Sequence, residues 1–489
     1  MTCPRVIVIG GGLAGLASAV SLAEAGARVT LYERRSLLGG RASSFVHPTG
    51  GAVVDNCQHV LLGCCTNLMD FYRKLNVDQG IASKKRIPFI DEENRLSELY
   101  PSRLPAPFHL FPSLLRLDFL GWRDKWSVAR VVLSMIAYTR KGPVMAGTGQ
   151  KEGHSGSYST LYPYPAPDSA LSFLSWLHAH HATPRSIIAF WRPFLISALN
   201  DELDDIAVDY GITTVVKAFL LNRTGYEVGL PTVPLGDLYV PATAYIEQAG
   251  GQVILDTGVF ALSITEDRIA SITRSDGVVD TADAYVVAVP FDVLLKLLPE
   301  EMVDRVPYFT GLRQLEVSPI TAVHVWFDRP VTDLAFVAVL GRTIQWVFNQ
   351  SIRSSESSGA YLGLVVSASD EWMKLPQQEI VRLALEELRS LFPAAKEAQL
   401  LKAIVVKEGR ATFAPKPGSD ALRPGPVSPV AGLYVAGDWT QTGWPATMEG
   451  AVRSGYRAAE AVLADAGTPI KILQPDLPTE GLMRWLVGN

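Results

Sequence analysis

Cysteine is scarce: Cys3, Cys57, Cys64 and Cys65 are the four in a chain of 489 residues. Their number and spacing make neither a disulfide framework nor a zinc site, so a reducing compartment and no structural metal are expected. Charge is thin as well, at 19% of residues, with 44 Lys and Arg against 49 Asp and Glu. A net charge of -5 lacks the cationic excess on which nucleic-acid affinity is built. Long apolar runs are also missing, because His, Pro, Arg or Asp interrupts every candidate before the ~18 to 20 residues that cross a bilayer. The opening apolar segment is Gly-rich and has no small-residue cleavage site behind it, unlike a secretory signal. A cytoplasmic chain is expected. What is abundant is apolar surface, at 48% of residues, in a length worth about three domains.

Residues 5–9, Arg-Val-Ile-Val-Ile, form a β-branched run that predicts a fully buried parallel strand. Glycines follow at once, then an Ala/Leu-rich helix from Leu13 to Ala25 stopped by Gly26, then a second strand from Val29 to Glu33. This βαβ opening places the chain in the doubly wound α/β class. Residues 86–230 carry many prolines, dense aromatics and helical periodicity, and predict a helical cap. Within them the Gly/Ser-rich stretch 142–160 lacks an apolar face and predicts a loop. From Gly251 strands return, at Gln252–Asp256, Val259–Ile264, Ile269–Arg274, Ala284–Pro290 and within Thr321–Phe348, and a helix is predicted over Gln377–Leu391. A strand, loop and helix occupy Gly432–Ala464.

Gly10, Gly12 and Gly15 form GxGxxG between a strand and a helix. The first permits a tight turn, the second lets a pyrophosphate reach the backbone, and the third allows close helix packing. Leu13 and Ala14 belong to the same turn. Glu33 ends the second strand 18 residues after Gly15, where a carboxylate accepts ribose hydroxyls. Beyond it, Arg34 leads to Gly39-Gly40-Arg41, a second backbone approach to a diphosphate with a fixed cation beside it.

This spacing resembles the FAD-binding fold shared by amine oxidases, protoporphyrinogen oxidase and carotenoid desaturases. The far end is similar too, in Gly432-Leu-Tyr-Val-Ala-Gly437-Asp438-Trp439 and Thr447-Met448-Glu449-Gly450-Ala451. The resemblance implies FAD as cofactor and a Rossmann-like FAD-binding domain with an inserted α+β substrate domain and helical cap. It implies that Asp438 binds the ribityl chain and that the helix opening at Thr447, Met448, Glu449 and Ala451 faces the flavin ring, stabilising reduced flavin. Val259 should hold the adenine through its backbone. The FAD-binding domain is expected over 1–85, 235–305 and 405–467, the substrate domain over 86–234 and 306–404, and a C-terminal tail over 468–489.

Three further stretches resemble hydroxysqualene dehydroxylases, the squalene-associated flavoproteins of bacterial hopanoid pathways. They are Val54-Asp55-Asn56-Cys57-Gln58-His59 running on to Asn67, Phe190-Trp191 running on to Asn200, and Gly437–Ala451 with its Gly443-Trp444-Pro445-Ala446-Thr447 core. Cys57 departs from the glycine expected there; a positive φ at that position would re-aim His59. The resemblance implies reduction of hydroxysqualene, an isoprenoid substrate, to squalene. Asp55 and His59 are the candidate acids for the departing hydroxyl, each with a structural alternative, Asp55 as an anchor for flavin or for backbone N–H groups and His59 as a satisfied core histidine. Trp444, Trp439, Trp191 and Phe190 are candidate walls for the chain or ordinary core. Two other readings remain open: a carotenoid-type desaturase on the same fold, and a lipid carrier that keeps FAD as a relic. No second dinucleotide fingerprint identifies an electron donor.

Residues 104–141 mix apolar positions with Arg116, Arg123, Lys125, Arg130, Arg140 and Lys141, which predicts peripheral contact with an anionic membrane or a cap helix with a solvated basic face. His178, His180 and His181 are expected not to hold a metal, since adjacent helical residues point apart and no acidic or thiol partner sits at ligand spacing. The run from Asn200 to Asp205 reads as a solvated helix start.

Overall fold

The computed structural model describes residues 4–47, 51, 53–141, 170–353 and 359–487. The loop expected at 142–160 lies outside them. The opening run forms the strand Arg5–Ile9, buried from Val6 onward, at the centre of a five-stranded parallel sheet. Its neighbours are Arg28–Tyr32 and Ala284–Val287, with Gln252–Ile254 and Leu433–Val435 outside them. Segments more than 400 residues apart thus share one sheet.

The helix Leu13–Glu24 has ten consecutive residues, Leu13–Leu22, and then Ala23 buried, because it is pressed between that sheet and the helix Met448–Asp465. Two absent side chains set the spacing. A Cβ on Gly15 would lie 1.9 Å from the Gly10 carbonyl oxygen, and one on Gly455 would lie 2.2 Å from that of Ala14. Thr447 caps the second helix by accepting the Gly450 N–H at 3.1 Å, a contact worth ~1 kcal/mol.

The substrate domain is built on a seven-stranded sheet in the order Leu400–Phe413, Val317–Phe327, Ala360–Ser367, Trp346–Asn349, Phe336–Val339, Ile87–Ile90, Leu96–Leu99. The helix Gln377–Leu391, as expected, covers one face with Ile380, Ala384 and Leu388 packed on Val323, Val325 and Leu364. Two local features differ from the elements expected. Residues 87–99 form a hairpin of this sheet rather than the start of the cap. The strand Leu400–Phe413 runs unbroken through position 405.

The stretch 468–487 is no loose tail. Glu480 N–H donates to Leu221 O at 2.8 Å, Asn222 Nδ2 to Pro478 O at 3.0 Å, and Met483 is fully buried. Among the described residues no helix is long and apolar enough to cross a membrane.

Candidate functional site

One cavity of about 490 Å³ lies between the sheet ends and the cap. Gly10, Gly12, Leu13, Ala14, Glu33, Arg34, Gly39, Gly40, Arg41, Val259, Gly437, Asp438, Thr447, Met448, Glu449 and Ala451 all reach its wall. Gly15 does not, since its work is the close packing just described.

Whether this wall fits a dinucleotide is decided by its backbone. Gly10 and Gly39 take φ of +106° and +99°, and a Cβ on Gly39 would meet the Tyr239 ring at 2.6 Å. Gly39 N–H donates to Gly11 O at 2.8 Å, tying the second glycine loop to the first. Glu33 is 7% exposed and accepts Gly11 N–H at 2.7 Å and Arg35 N–H at 2.9 Å. An ionised carboxylate offers about four acceptor sites, so two remain for ribose hydroxyls. The chain ends meet directly: Arg41 Nη2 donates to Asp438 Oδ1 at 2.5 Å across 397 positions, and Arg41 Nη1 to Ala411 O at 2.8 Å. The cradle, the acid and the opening turn of Met448–Asp465 together suit a flavin dinucleotide.

Glu449 has a second task. Its buried carboxylate accepts Asn67 N–H, Asn67 Nδ2, Leu68 N–H and Arg453 Nε at 2.7–3.1 Å. It therefore clamps the start of the helix Thr66–Lys74 and leaves the cavity to backbone and neighbours.

His59 stands in the wall, partly buried, with Nδ1 2.9 Å from Cys57 O. A carbonyl only accepts, so Nδ1 carries the hydrogen and Nε2 of the neutral ring is an acceptor. Burial lowers the His59 pKa below its ordinary value, which favours the neutral ring. Cys57 is not among the positive-φ residues, so the departure from glycine costs nothing there. Burial pushes its thiol up to about 12, keeping it protonated.

Asp55 does not reach the cavity. It is 5% exposed and its Oδ1 accepts Ser44 Oγ at 2.7 Å and Leu235 N–H at 3.1 Å, which is the anchoring alternative. Phe190 and Trp191 are also absent from the wall. They pack edge to face with ring centres 5.0 Å apart, Trp191 also against Phe173, as the core of the cap. Trp439 and Trp444 do line the cavity. Trp439 fills the space that a Gly437 Cβ would take and donates Nε1–H to Val289 O at 2.9 Å. Lys217 Nζ and Arg453 Cζ lie 4.8 Å and 5.0 Å from the Trp444 ring centre, so two cations that share the Asp476 carboxylate contact this ring.

Sequence reasoning missed much of the apolar wall. Phe336, Trp346 and Phe348 stack on the substrate sheet with ring centres 5.9–6.2 Å apart, and Trp346 Nε1 donates to Ser197 Oγ at 2.5 Å. The strand-rich stretch 321–348, with aromatics at 336, 346 and 348, was the signal available. Lys217 was missed too. It is 9% exposed and donates to Asp476 Oδ2 at 2.9 Å and Gly443 O at 3.4 Å. Burial lowers its pKa and Asp476 opposes the shift. The run from Asn200 to Asp205 is solvated only in part: Asp204 and Asp205 are exposed, while Asn200 and Asp201 are buried and the run follows a helix end instead of starting a helix. Asn200 caps its helix at φ +56°, reaches the cavity, and joins Ser318 O, Thr412 Oγ1 and Ala368 N–H. Asp201 is raised to about 6 by burial.

Fold and site thus define a flavin-dependent oxidoreductase. Residues 13–463 match the model of the flavin containing amine oxidoreductases, and the chain belongs to that family. Its cofactor is FAD. Among curated relatives, 15-cis-phytoene desaturase of an Oncidium hybrid cultivar is 30% identical over 478 residues, covering 94% of this chain and 78% of that one. Zeta-carotene desaturase of Synechocystis is 27% identical over 493 residues, covering 94% and 97%. Among solved structures, cyclohexylamine oxidase from Brevibacterium oxydans aligns with a TM-score of 0.70 at 15% identity, covering 95% of this chain and all of that one. An oxidoreductase from Methanosarcina mazei aligns at 0.68 and 19%, covering 94% and 100%. These structures share the fold.

Proposed function

We propose that the chain uses FAD to remove the hydroxyl of hydroxysqualene reductively, giving squalene. The observation that carries this reading is a convergence. The stretches 54–67, 190–200 and 437–451, which resemble hydroxysqualene dehydroxylases, lie far apart in the chain and all contribute wall to the cavity that holds the dinucleotide cradle. The aromatic stack on the substrate sheet suits a long isoprenoid, which leaves water for such a surface at ~25 cal/mol per Å².

Reduced FAD, when bound, supplies hydride for the carbon that loses oxygen. The chain's part is to see the hydroxyl out with a proton. Lys217 is the donor: of its three ammonium hydrogens, Asp476 and Gly443 O take two, leaving one for the cavity. His59 Nε2 accepts from the substrate hydroxyl and so orients it. The C–O bond breaks, the oxygen takes the Lys217 proton and departs as water, and solvent restores the ammonium.

A second reading, polyene desaturation, is favoured by the relatives, since phytoene and zeta-carotene desaturases match along 94% of the chain. In that direction His59 Nε2 takes the proton that leaves the hydrocarbon. Product identity separates the two. Holoenzyme is incubated with hydroxysqualene and a reductant without oxygen, and separately with phytoene and an electron acceptor, and the lipids are extracted for mass analysis. Squalene from the first mixture alone supports dehydroxylation. A longer conjugated polyene from the second alone overturns it in favour of desaturation, and turnover in neither overturns both.

A further inference from the structure

Of the ten tryptophans in the chain, three are strongly exposed: Trp122 at 68%, Trp126 at 74% and Trp485 at 86%. All three lie on two helices that pack together, Trp122–Lys141 and Met483–Val487. On the longer helix the exposed positions are Trp122, Trp126, Arg130, Leu133, Ala137 and Arg140, with Arg123 at its start. Steps of three and four place the six on one stripe. The opposite side, Val128, Val131 and Met135, is buried in the core. The stripe has no carboxylate: the acid of the first turn, Asp124, is partly buried and accepts Thr183 Oγ1 at 2.6 Å. A chain of net charge -5 thus presents aromatic and cationic side chains together on one outer face.

From this pairing we infer that the face docks on an anionic lipid surface. Tryptophan settles at the level of lipid headgroups, and arginine pairs with their phosphates. A helix of 20 residues that is too polar to span lies in the interface instead. Exposed Leu482 extends the apolar patch; its N–H donates to Ala106 O at 3.0 Å, which ties the C-terminal helix to the cap. A second copy of the chain is a poorer occupant, because a two-fold contact would set the arginine stripe against itself.

The test is flotation of the FAD-loaded protein with vesicles of phosphatidylcholine, alone or with phosphatidylglycerol. Flotation with the anionic vesicles, a blue shift of tryptophan emission and quenching by brominated lipid are expected. Arg123→Gln with Arg140→Gln should weaken partitioning about 30-fold at low salt. Trp122→Ser with Trp126→Ser should abolish most of the emission shift. Neither pair reaches the cavity, so FAD content and flavin absorbance should stay at wild-type values, which separates loss of docking from loss of fold. The inference is overturned if the wild type stays unbound at low salt, if it floats equally with neutral vesicles, or if light scattering finds a dimer that the tryptophan variants abolish.

Discussion

Replacing Gly455 with alanine puts two expectations in direct conflict. Gly455 sits inside the helix Met448–Asp465, where alanine gains ~1 kcal/mol of helix propensity. The packing opposes this. The new Cβ would lie 2.2 Å from Ala14 O and 2.9 Å from both Ala17 Cβ and Ser18 N, all on the facing helix. Carbon and oxygen approach to roughly 3.3 Å, so the helices must part by about 1 Å. Overpacking of this kind costs ~1–3 kcal/mol, and backbone atoms on the far side place it at the upper end. The net is a loss of about 1–2 kcal/mol, read as a fall of a few degrees in melting temperature. The same displacement moves the opening turns of both helices at the dinucleotide cradle, so FAD affinity should fall with it. Melting of the FAD-loaded protein and titration of the apoprotein with FAD measure the two effects. Gly425→Ala, whose Cβ meets nothing within 4 Å, is the control and should change neither. A Gly455→Ala protein that melts higher with unaltered FAD affinity would refute the packing argument.

Asp438→Ala removes the acceptor that holds Arg41 at the cradle and should weaken FAD binding by about 10- to 100-fold, measured by flavin fluorescence, with Arg41→Gln giving a similar loss. Asp476 is pushed up by burial, but Lys217 and Arg453 outweigh this and hold its pKa below the usual carboxylate value. Its stabilising contribution is therefore complete above the unfolded value of 3.8 and is lost as pH falls through the lower folded value. Asp476→Asn should unfold more easily at neutral pH in denaturant titrations and lose less than the wild type on further acidification through that window. Because burial holds His59 neutral, turnover should not change as pH falls through 6.5 and should drop only below it; His59→Gln should lower turnover at pH 7 and remove that acid limb. An acid limb at 6.5 or higher in the wild type would contradict the neutral ring.

The FAD half of the site was legible because its signals are local. Gly10, Gly12, Glu33 and Gly39 act through their own backbone or through neighbours in one βαβ unit, and their spacing carries their role. The helix Gln377–Leu391 was legible for the same reason, since one apolar face meets one sheet. What escaped depends on partners far along the chain. Glu449 spends its carboxylate on Asn67 and Leu68, some 380 positions away, and nothing in the helix opening foretells it. Asp476 lies in an unremarkable stretch and becomes the counter-ion of Lys217 and Arg453 only once residues 468–487 fold back over the core. Pro88 donates no ladder hydrogen bond, and the strand Ile87–Ile90 that holds it pairs with the outermost strand of the sheet, Pro88 opposite Glu98. Asp55 and His59 are separated by four positions, and the turn between them decides which one faces the cavity.

Whether the direction of chemistry is reductive can be read from the flavin itself. The FAD-loaded protein, reduced without oxygen and mixed rapidly with hydroxysqualene, should regain the absorbance of oxidised flavin in a single phase while forming one squalene per flavin. Flavin that stays reduced in the presence of excess hydroxysqualene, with the lipid recovered unchanged, would contradict the account.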